Sequence, residues 1–289
     1  MKNNLNKFIL ITPAKNEEKY VTETILSVLK QDVLPIEWII VDDGSTDDTP
    51  KIIKRFCKKY RWIKLLERKN YFKHNFASVV SCYHLALENI SKDYYNFIGL
   101  LDADIRLPSQ YFKKVLHEFY NNSRLGLGGG IVYDIGTKPK IPRNMKDIPG
   151  AIQFFRRSCL EDILPFIALP EGGWDMLTCV QARYKGYETS LFTNLWVEHL
   201  KPRNISQGSL IKRYFQLGVR DYALAYHPLF ETLKCLSRIT EYPFLIGSIT
   251  RLLGYWTCMF IKKKINLPEN LIFFIRNEQL ERIKITLTS

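Results

Sequence analysis

The sequence predicts an α/β fold: an open, mostly parallel sheet flanked by helices, followed by a helical, basic C-terminal region. Three observations carry this. Short apolar, β-branched runs alternate with amphipathic helical segments from Phe8 to His199. Three of those runs stop on polar, acid-rich loops, which is where an open α/β sheet presents the carboxyl ends of its strands to a ligand. Beyond Lys201 the alternation ends, and residues 201–289 hold 14 Lys or Arg against 6 Asp or Glu. One boundary follows, dividing the chain into 1–200 and 201–289.

Phe8–Thr12 reads as the first strand and ends at Pro13-Ala14-Lys15-Asn16-Glu17-Glu18. Asn16 is the expected N-cap of the next helix, with Glu17 and Glu18 in its first turn and Ile25, Val28 and Leu29 on its apolar face. Capping accounts for the acids but not for Lys15 or the proline. Trp38–Val41 is the second strand. It ends at Asp42-Asp43-Gly44-Ser45-Thr46-Asp47-Asp48-Thr49-Pro50, where Asp48 or Thr49 can cap a helix and Pro50 suits its first turn. Four aspartates in seven residues exceed what capping needs, and point to recognition of a base or ribose. Lys51–Tyr60 is a basic amphipathic helix and Trp62–Leu66 a third strand, followed by the basic loop Arg68–Asn75. Ser78–Leu87 is a helix. His84, and His117 in the next helix, are read as packing or surface histidines.

Phe97–Leu101 is the central strand, and it stops on Asp102-Ala103-Asp104. Mg²⁺ binds typically through one or two carboxylates plus substrate phosphates, so an Asp-x-Asp at a strand end can hold a metal against a diphosphate. The competing reading is a solvated turn. Pro108–Tyr120 is a helix. The glycines of Leu125–Asp134 precede no helix and make no dinucleotide fingerprint; they allow close approach of a ligand or a neighbouring strand. Gly150–Cys159 is either a short helix or a strand. Pro170–Asp175 leads into a helix, Met176–Lys185, closed by Gly186. Phe192–Val197 is a further strand, ending on Glu198-His199. The cations of 201–214 read as a mobile segment over a phosphate site. Tyr242–Ile261 is 20 residues long, enough to span a bilayer, but Arg251 in its middle argues for a helix lying on membrane or protein, next to the basic Lys262-Lys263-Lys264. Leu271–Leu287 is amphipathic.

The net charge of +13 suits phosphate-bearing substrates or an anionic membrane surface. No basic run with interleaved aromatics matches a nucleic-acid module, so no nucleic-acid partner is expected. The six cysteines show no CxxC and read as buried thiols in a reducing compartment. The polar stretch Met1–Lys7 carries no signal-peptide pattern. The expected location is therefore cytoplasmic, at the inner face of the cell membrane.

Taken in order, Pro13–Glu18, Val41–Thr49 and Asp102-Ala103-Asp104 resemble the successive nucleotide-sugar motifs of family 2 glycosyltransferases. The match spans roughly residues 8 to 200. The resemblance implies a GT-A fold, a Rossmann-like mixed, mostly parallel sheet. It implies an inverting glycosyltransferase with a nucleotide-diphospho-sugar donor, a UDP-sugar by preference, and a divalent metal, Mg²⁺ or Mn²⁺. Carried over residue by residue, Pro13, Ala14 and Glu17 would border the nucleoside, and Asp43 would accept from the base. Asp102 would lie on the base or ribose side, with Lys73 also at the nucleotide. Asp104 would bind the metal, and His199 resembles the late metal-binding histidine. Asp175, eleven residues before Gly186, would be the general base. The usual Glu-Asp pair is Trp174-Asp175 here, which makes Glu171 the alternative base. Lys201, Arg203, Lys212 and Arg213 would close over the diphosphate. The Gln-x-x-Arg-Trp motif of processive synthases is absent, which implies transfer of a single sugar. The implied acceptor is a glycan or a lipid-linked hydroxyl, with peripheral membrane contact through the C-terminal region. The rival readings are a non-catalytic nucleotide-sugar-binding or scaffold protein on the same fold, and a sugar-phosphate nucleotidyltransferase.

Overall fold

The computed structural model of the chain describes residues 7–68, 76–201 and 210–288. Its backbone divides into two compact units, Met1–Ala168 with Trp174–Asn204, and Leu169–Gly173 with Ile205–Ser289.

The first unit is built on eight strands: β1 (Phe8–Ala14), β2 (Glu37–Asp42), β3 (Ile63–Glu67), β4 (Phe97–Leu101), β5 (Ile105–Arg106), β6 (Leu125–Asp134), β7 (Ile152–Arg156) and β8 (Glu188–His199). They form one sheet in the order β3-β2-β1-β4-β7-β6-β8-β5. β1 to β4 run parallel, as do β6 and β8, while β7 is antiparallel to both of its neighbours and β5 to β8. Parallel strands covered on both faces read as continuous apolar runs, because alternate side chains enter opposite layers. Phe8, Leu10, Trp38, Ile40 and Phe97 enter one layer with α1 (Val21–Leu29) and α4 (Tyr111–Asn121). Ile9, Ile11, Ile39, Val41 and Ile98 enter the other with α3 (Phe76–Glu88). In the first layer the Phe154 ring lies 5.4–6.4 Å from those of Phe8, Phe97, Phe112 and Phe119. Burying one such ring is worth about 1.5–3 kcal/mol. α2 (Thr49–Lys59), α5 (Arg157–Ile163) and α6 (Trp174–Tyr184) complete the unit.

Several local expectations are corrected. Asn16 caps no helix: it holds φ +56°, and α1 starts only at Val21, so Glu17 and Glu18 precede the helix. At α2 Asp48 does hold the N-cap position, but its side chain makes no capping bond; Asp47 Oδ1 takes the Thr49 N–H instead, at 3.0 Å. Gly150–Cys159 resolves into β7 and the start of α5. The glycines of β6 do serve close approach, since a Cβ on Gly130 would fall 2.7 Å from the Leu195 carbonyl oxygen.

The second unit contains α7 (Leu210–Ala223), α8 (Pro228–Leu236), α9 (Leu245–Phe260) and α10 (Glu269–Thr288). α7 and α9 cross with backbones touching, because a Cβ on Gly218 would collide with the Arg251 carbonyl and one on Gly254 with that of Phe215. Arg251, the charge that interrupts the apolar run, is buried. Its Nη2 lies 2.5 Å from Asp221 Oδ2, which also accepts from Lys234 Nζ at 2.9 Å. Burial alone would raise the Asp221 carboxyl; Lys234 and Arg251 reverse this and hold it below the ordinary range. α9 has 16 residues, and no helix among the described residues is long and apolar enough to cross a membrane.

Candidate active site

β1, β2 and β4 lie side by side and end together, so three loops meet at one edge. The first two loops are laced to each other. The backbone N–H groups of Asn16, Glu17 and Glu18 donate to Ser45 Oγ, Thr49 Oγ1 and Asp47 Oδ2 at 2.9, 2.8 and 3.2 Å. In return Asn16 Oδ1 accepts from the Thr46 N–H at 2.8 Å, and Glu18 Oε2 from the Asp48 N–H at 3.1 Å. Asp42 Oδ2 accepts from the Ser45 N–H. The carboxylates of Asp42 and Asp47 thus build the loops. Among the four aspartates of Asp42–Asp48, Asp43 alone lines the cavity at this edge.

That cavity holds 210 Å³ and is lined by Pro13, Ala14, Lys15, Glu17, Asp43, Val79, Cys82, Asp102, Ala103, Asp104 and Lys201. Seven of the expected residues therefore meet in one place: Pro13, Ala14, Glu17, Asp43, Asp102, Asp104 and Lys201. A larger groove of 660 Å³ runs along α1, but its guanidinium, Arg106, is paired with Glu23 and Glu198, and none of the expected residues lines it. The smaller cavity is the candidate site because the chemistry is there.

The cavity is strongly acidic. Burial first, then Asp104, Asp175 and Glu17, push the Asp102 carboxyl up to about 8. Burial likewise raises Glu17 to about 7, against a 2.6 Å hydrogen bond from Lys201 Nζ. Four carboxylates thus feel one another, and a cation among them would relieve the repulsion. Asp43 is held by cations instead: Arg68 Nη1 at 3.2 Å and Lys15 Nζ at 3.6 Å, with Ser78 Oγ donating at 2.5 Å. The Cys82 thiol, raised to about 11 by burial and Asp43, is unreactive at neutral pH.

His199 ends β8 with its Nε2 3.4 Å from Asp104 Oδ2. Two ligands in neighbouring octahedral positions, each about 2.1 Å from a Mg²⁺, stand roughly 3 Å apart. Asp104 and His199 therefore fit as a pair of ligands to a small hard cation. Among the described residues no three His, Cys, Asp or Glu side chains converge into a full cage, so a diphosphate or water would have to complete the shell.

Asp175 lies in the first turn of α6. Its Oδ2 accepts from the Gly150 N–H at 3.2 Å, and its backbone carbonyl accepts from Gln153 Nε2 and Thr178 Oγ1. Gly150 is needed there, since a Cβ would fall 2.7 Å from the Trp174 ring and 3.1 Å from Asp175 Cβ. Glu171, the alternative base, belongs to the second unit, where its Oε1 is paired with Lys263 at 2.8 Å. Lys212 and Arg213 sit on α7 in that unit as well. Lys73 and Arg203 lie outside the described residues. Sequence reasoning missed Lys15, Arg68 and Ser78 as the setting of Asp43, Gly150 as a partner of Asp175, and Asp134 beside His199. Asp134 carried a signal, for it too closes an apolar strand.

Comparison with known proteins identifies the family and the fold. The model of the family described as "Glycosyl transferase family 2" matches residues 9–169, more than half of the chain. The minor teichoic acid biosynthesis protein GgaA of Bacillus subtilis is 30% identical over 135 residues, which covers 45% of this chain and 29% of that protein. The teichoic acid poly(glycerol phosphate) polymerase of Staphylococcus epidermidis is 34% identical over 125 residues, 42% of this chain and 16% of that protein. The chain thus spans less than a third of either relative. Among solved structures, the Pyrobaculum calidifontis mannosyltransferase PcManGT, in complex with GDP-Man and Mn²⁺, superposes with a TM-score of 0.58 at 15% identity, covering 97% of this chain and 79% of that one. Staphylococcus aureus TarS 1–349, in complex with UDP-GlcNAc, gives 0.52 at 20% identity, covering 74% and 65%. These likenesses show the mixed, mostly parallel GT-A fold that the motif order implied. With the family model covering the three strand-end motifs whose residues, Asp102–Asp104 among them, line one cavity, the chain belongs to glycosyl transferase family 2.

Proposed function

We propose that this protein transfers one sugar, with inversion, from a nucleotide-diphospho-sugar to a hydroxyl acceptor, with catalysis in residues 1–200. The observation that carries the reading is the 210 Å³ cavity, where residues from three separate motifs meet around mutually repelling carboxylates. Pro13, Ala14 and Glu17 border the nucleoside, Asp43 accepts from the base, and Asp102 lies on the ribose side. Asp104 and His199 would hold a divalent ion, Mg²⁺ or Mn²⁺, which when bound neutralises the leaving diphosphate. Asp175 takes the proton of the acceptor hydroxyl as that oxygen attacks. Lys201 releases Glu17 to meet the diphosphate. Arg203, with Lys73 at the nucleotide, is proposed to add positive charge around it. A UDP-sugar is the favoured donor; the UDP-GlcNAc bound in S. aureus TarS supports it, and the GDP-Man bound in PcManGT supplies the competitor. The teichoic-acid names of two relatives favour a cell-surface glycan acceptor, lipid-linked or polymeric.

A thermal-shift panel of UDP-, GDP- and TDP-sugars, each with and without Mn²⁺, tests the reading. A metal-dependent rise with one nucleotide is expected, about 2.7 kcal/mol of added stability at a hundred times the dissociation constant. No shift with any of them in folded protein would favour the scaffold reading.

The membrane contact rests on its own observation. α9 exposes Leu245, Ile246, Ile249, Leu253 and Phe260, at 46–77% of full exposure, and runs into Lys262–Lys264. An apolar row beside a lysine cluster suits the surface of an anionic bilayer. The proposed place of action is accordingly the cytoplasmic face of the membrane, engaged by residues 201–289.

A further inference from the structure

The end of β6 stands beside the end of β8, in a register that pairs Asp134 with His199, while β5 on the far side pairs Ile105 with the same histidine. Backbone hydrogen bonds fix this meeting point from both flanks: Ile135 N–H to His199 O at 3.0 Å, and Leu200 N–H to Asp104 O at 2.8 Å. The imidazole therefore lies between two carboxylates. Its Nε2 is 3.4 Å from Asp104 Oδ2, and its Nδ1 is 3.3 Å from Asp134 Oδ1. The ring is buried, and Nδ1 makes no hydrogen bond as it stands: the carboxylate is within ion-pair reach, but the hydrogen-bond alignment is not met.

We infer that Asp134 is a positioning residue, which takes the Nδ1–H of His199 and so fixes the ring with the Nε2 lone pair turned toward Asp104. The inference rests on the proposal that Asp104 and His199 hold a divalent cation. An imidazole ligates through a neutral nitrogen, and the acceptor on its other N–H decides which tautomer it adopts and how the ring is turned. Asp134 meets this need better than a water, because strand register holds it within reach of Nδ1. Two carboxylates on opposite sides of one histidine then have separate tasks: Asp104 is a ligand, whereas Asp134 acts on the ion through the ring.

The test is Mn²⁺ binding by the full chain, read from the electron paramagnetic resonance of the free ion, alone and with saturating UDP or GDP. Asp134→Asn is expected to weaken binding 10- to 100-fold, the usual cost of losing such a partner. In a His199→Asn background the same substitution should change nothing further, since the effect passes through the ring. Equal Mn²⁺ affinity in wild type and Asp134→Asn overturns the inference, as does an undiminished effect in the His199→Asn background. If the wild type binds no Mn²⁺ under any of these conditions, the metal reading itself falls and the inference with it. A second measurement needs no variant: with ¹⁵N-labelled histidine and saturating Mg²⁺, His199 should carry its proton on Nδ1, and an Nε2–H tautomer refutes the assignment.

Discussion

The acidic cavity makes a prediction about the free protein that requires no substrate. In the folded chain the Asp102 carboxyl keeps its proton up to about pH 8, whereas an unfolded aspartate loses it near 3.8. Below pH 4 both states are protonated, and the fold has its full stability. Between pH 4 and 8 the unfolded chain ionises while the folded one holds its proton, so stability falls as pH rises. Each pH unit is worth about 1.4 kcal/mol, which sets a ceiling of about 5–6 kcal/mol. Asp102 is half-buried at the cavity wall, and solvent screening there reduces the effect to roughly 2–3 kcal/mol. For a unit of this size that corresponds to about 5–10 °C in Tm. Asp102→Asn removes the titration. Scanned calorimetrically in EDTA, the variant should melt with the wild type at pH 4.5 and about 5–10 °C above it at pH 9. Superimposable profiles at both pH values, or a wild type that is the more stable at pH 9, would refute the picture of a carboxylate kept neutral by burial and by its acidic neighbours.

Asp175→Asn should lower turnover by about 10²–10⁴-fold while the donor-induced rise in Tm persists; normal turnover removes Asp175 as the base. Gly150→Ala forces a methyl group against Trp174 and Asp175, and should cost about 1–3 kcal/mol in urea denaturation together with much of the turnover. Arg251→Met deprives the buried Asp221 of a cation and should destabilise the helical unit by about 3–5 kcal/mol, seen as earlier loss of helical circular dichroism. Replacing Lys262 and Lys264 with Gln, while keeping the Lys263 that pairs with Glu171, should weaken co-sedimentation with phosphatidylglycerol vesicles without changing Tm; unchanged co-sedimentation would place membrane contact elsewhere or nowhere.

The strand ends were legible in the sequence because burial on both faces turns a parallel strand into an unbroken apolar run, and the break at Asp42 or Asp102 is abrupt. The antiparallel β7 was not. Its Ile152-Gln153-Phe154-Phe155 carries a polar residue in the middle, and only the structure shows the Gln153 amide buried between the carbonyls of Ile148 and Asp175. Asn16 looked like a cap because Asn before a helix usually is one; its side chain answers to a loop thirty residues away, which local patterning cannot register. Arg251 was readable as an obstacle to spanning a bilayer, but its partner Asp221 lies in a different helix. Asp134 and Gly150 matter through contacts 65 and 25 residues distant, set by strand register and helix placement.

The lacing of Asn16–Glu18 to Ser45–Thr49 has a consequence for chimeras. Each loop supplies the hydrogen-bonding groups the other lacks, so neither has a conformation of its own to carry into a foreign host. Exchanging the Asp42–Thr49 segment alone between two such proteins would leave Asn16 and Glu18 with mismatched partners and tilt Asp43 against the cavity. The transferable module is the loop pair, discontinuous in the chain and joined across α1, and recombination at any crossover between residues 19 and 44 would split it.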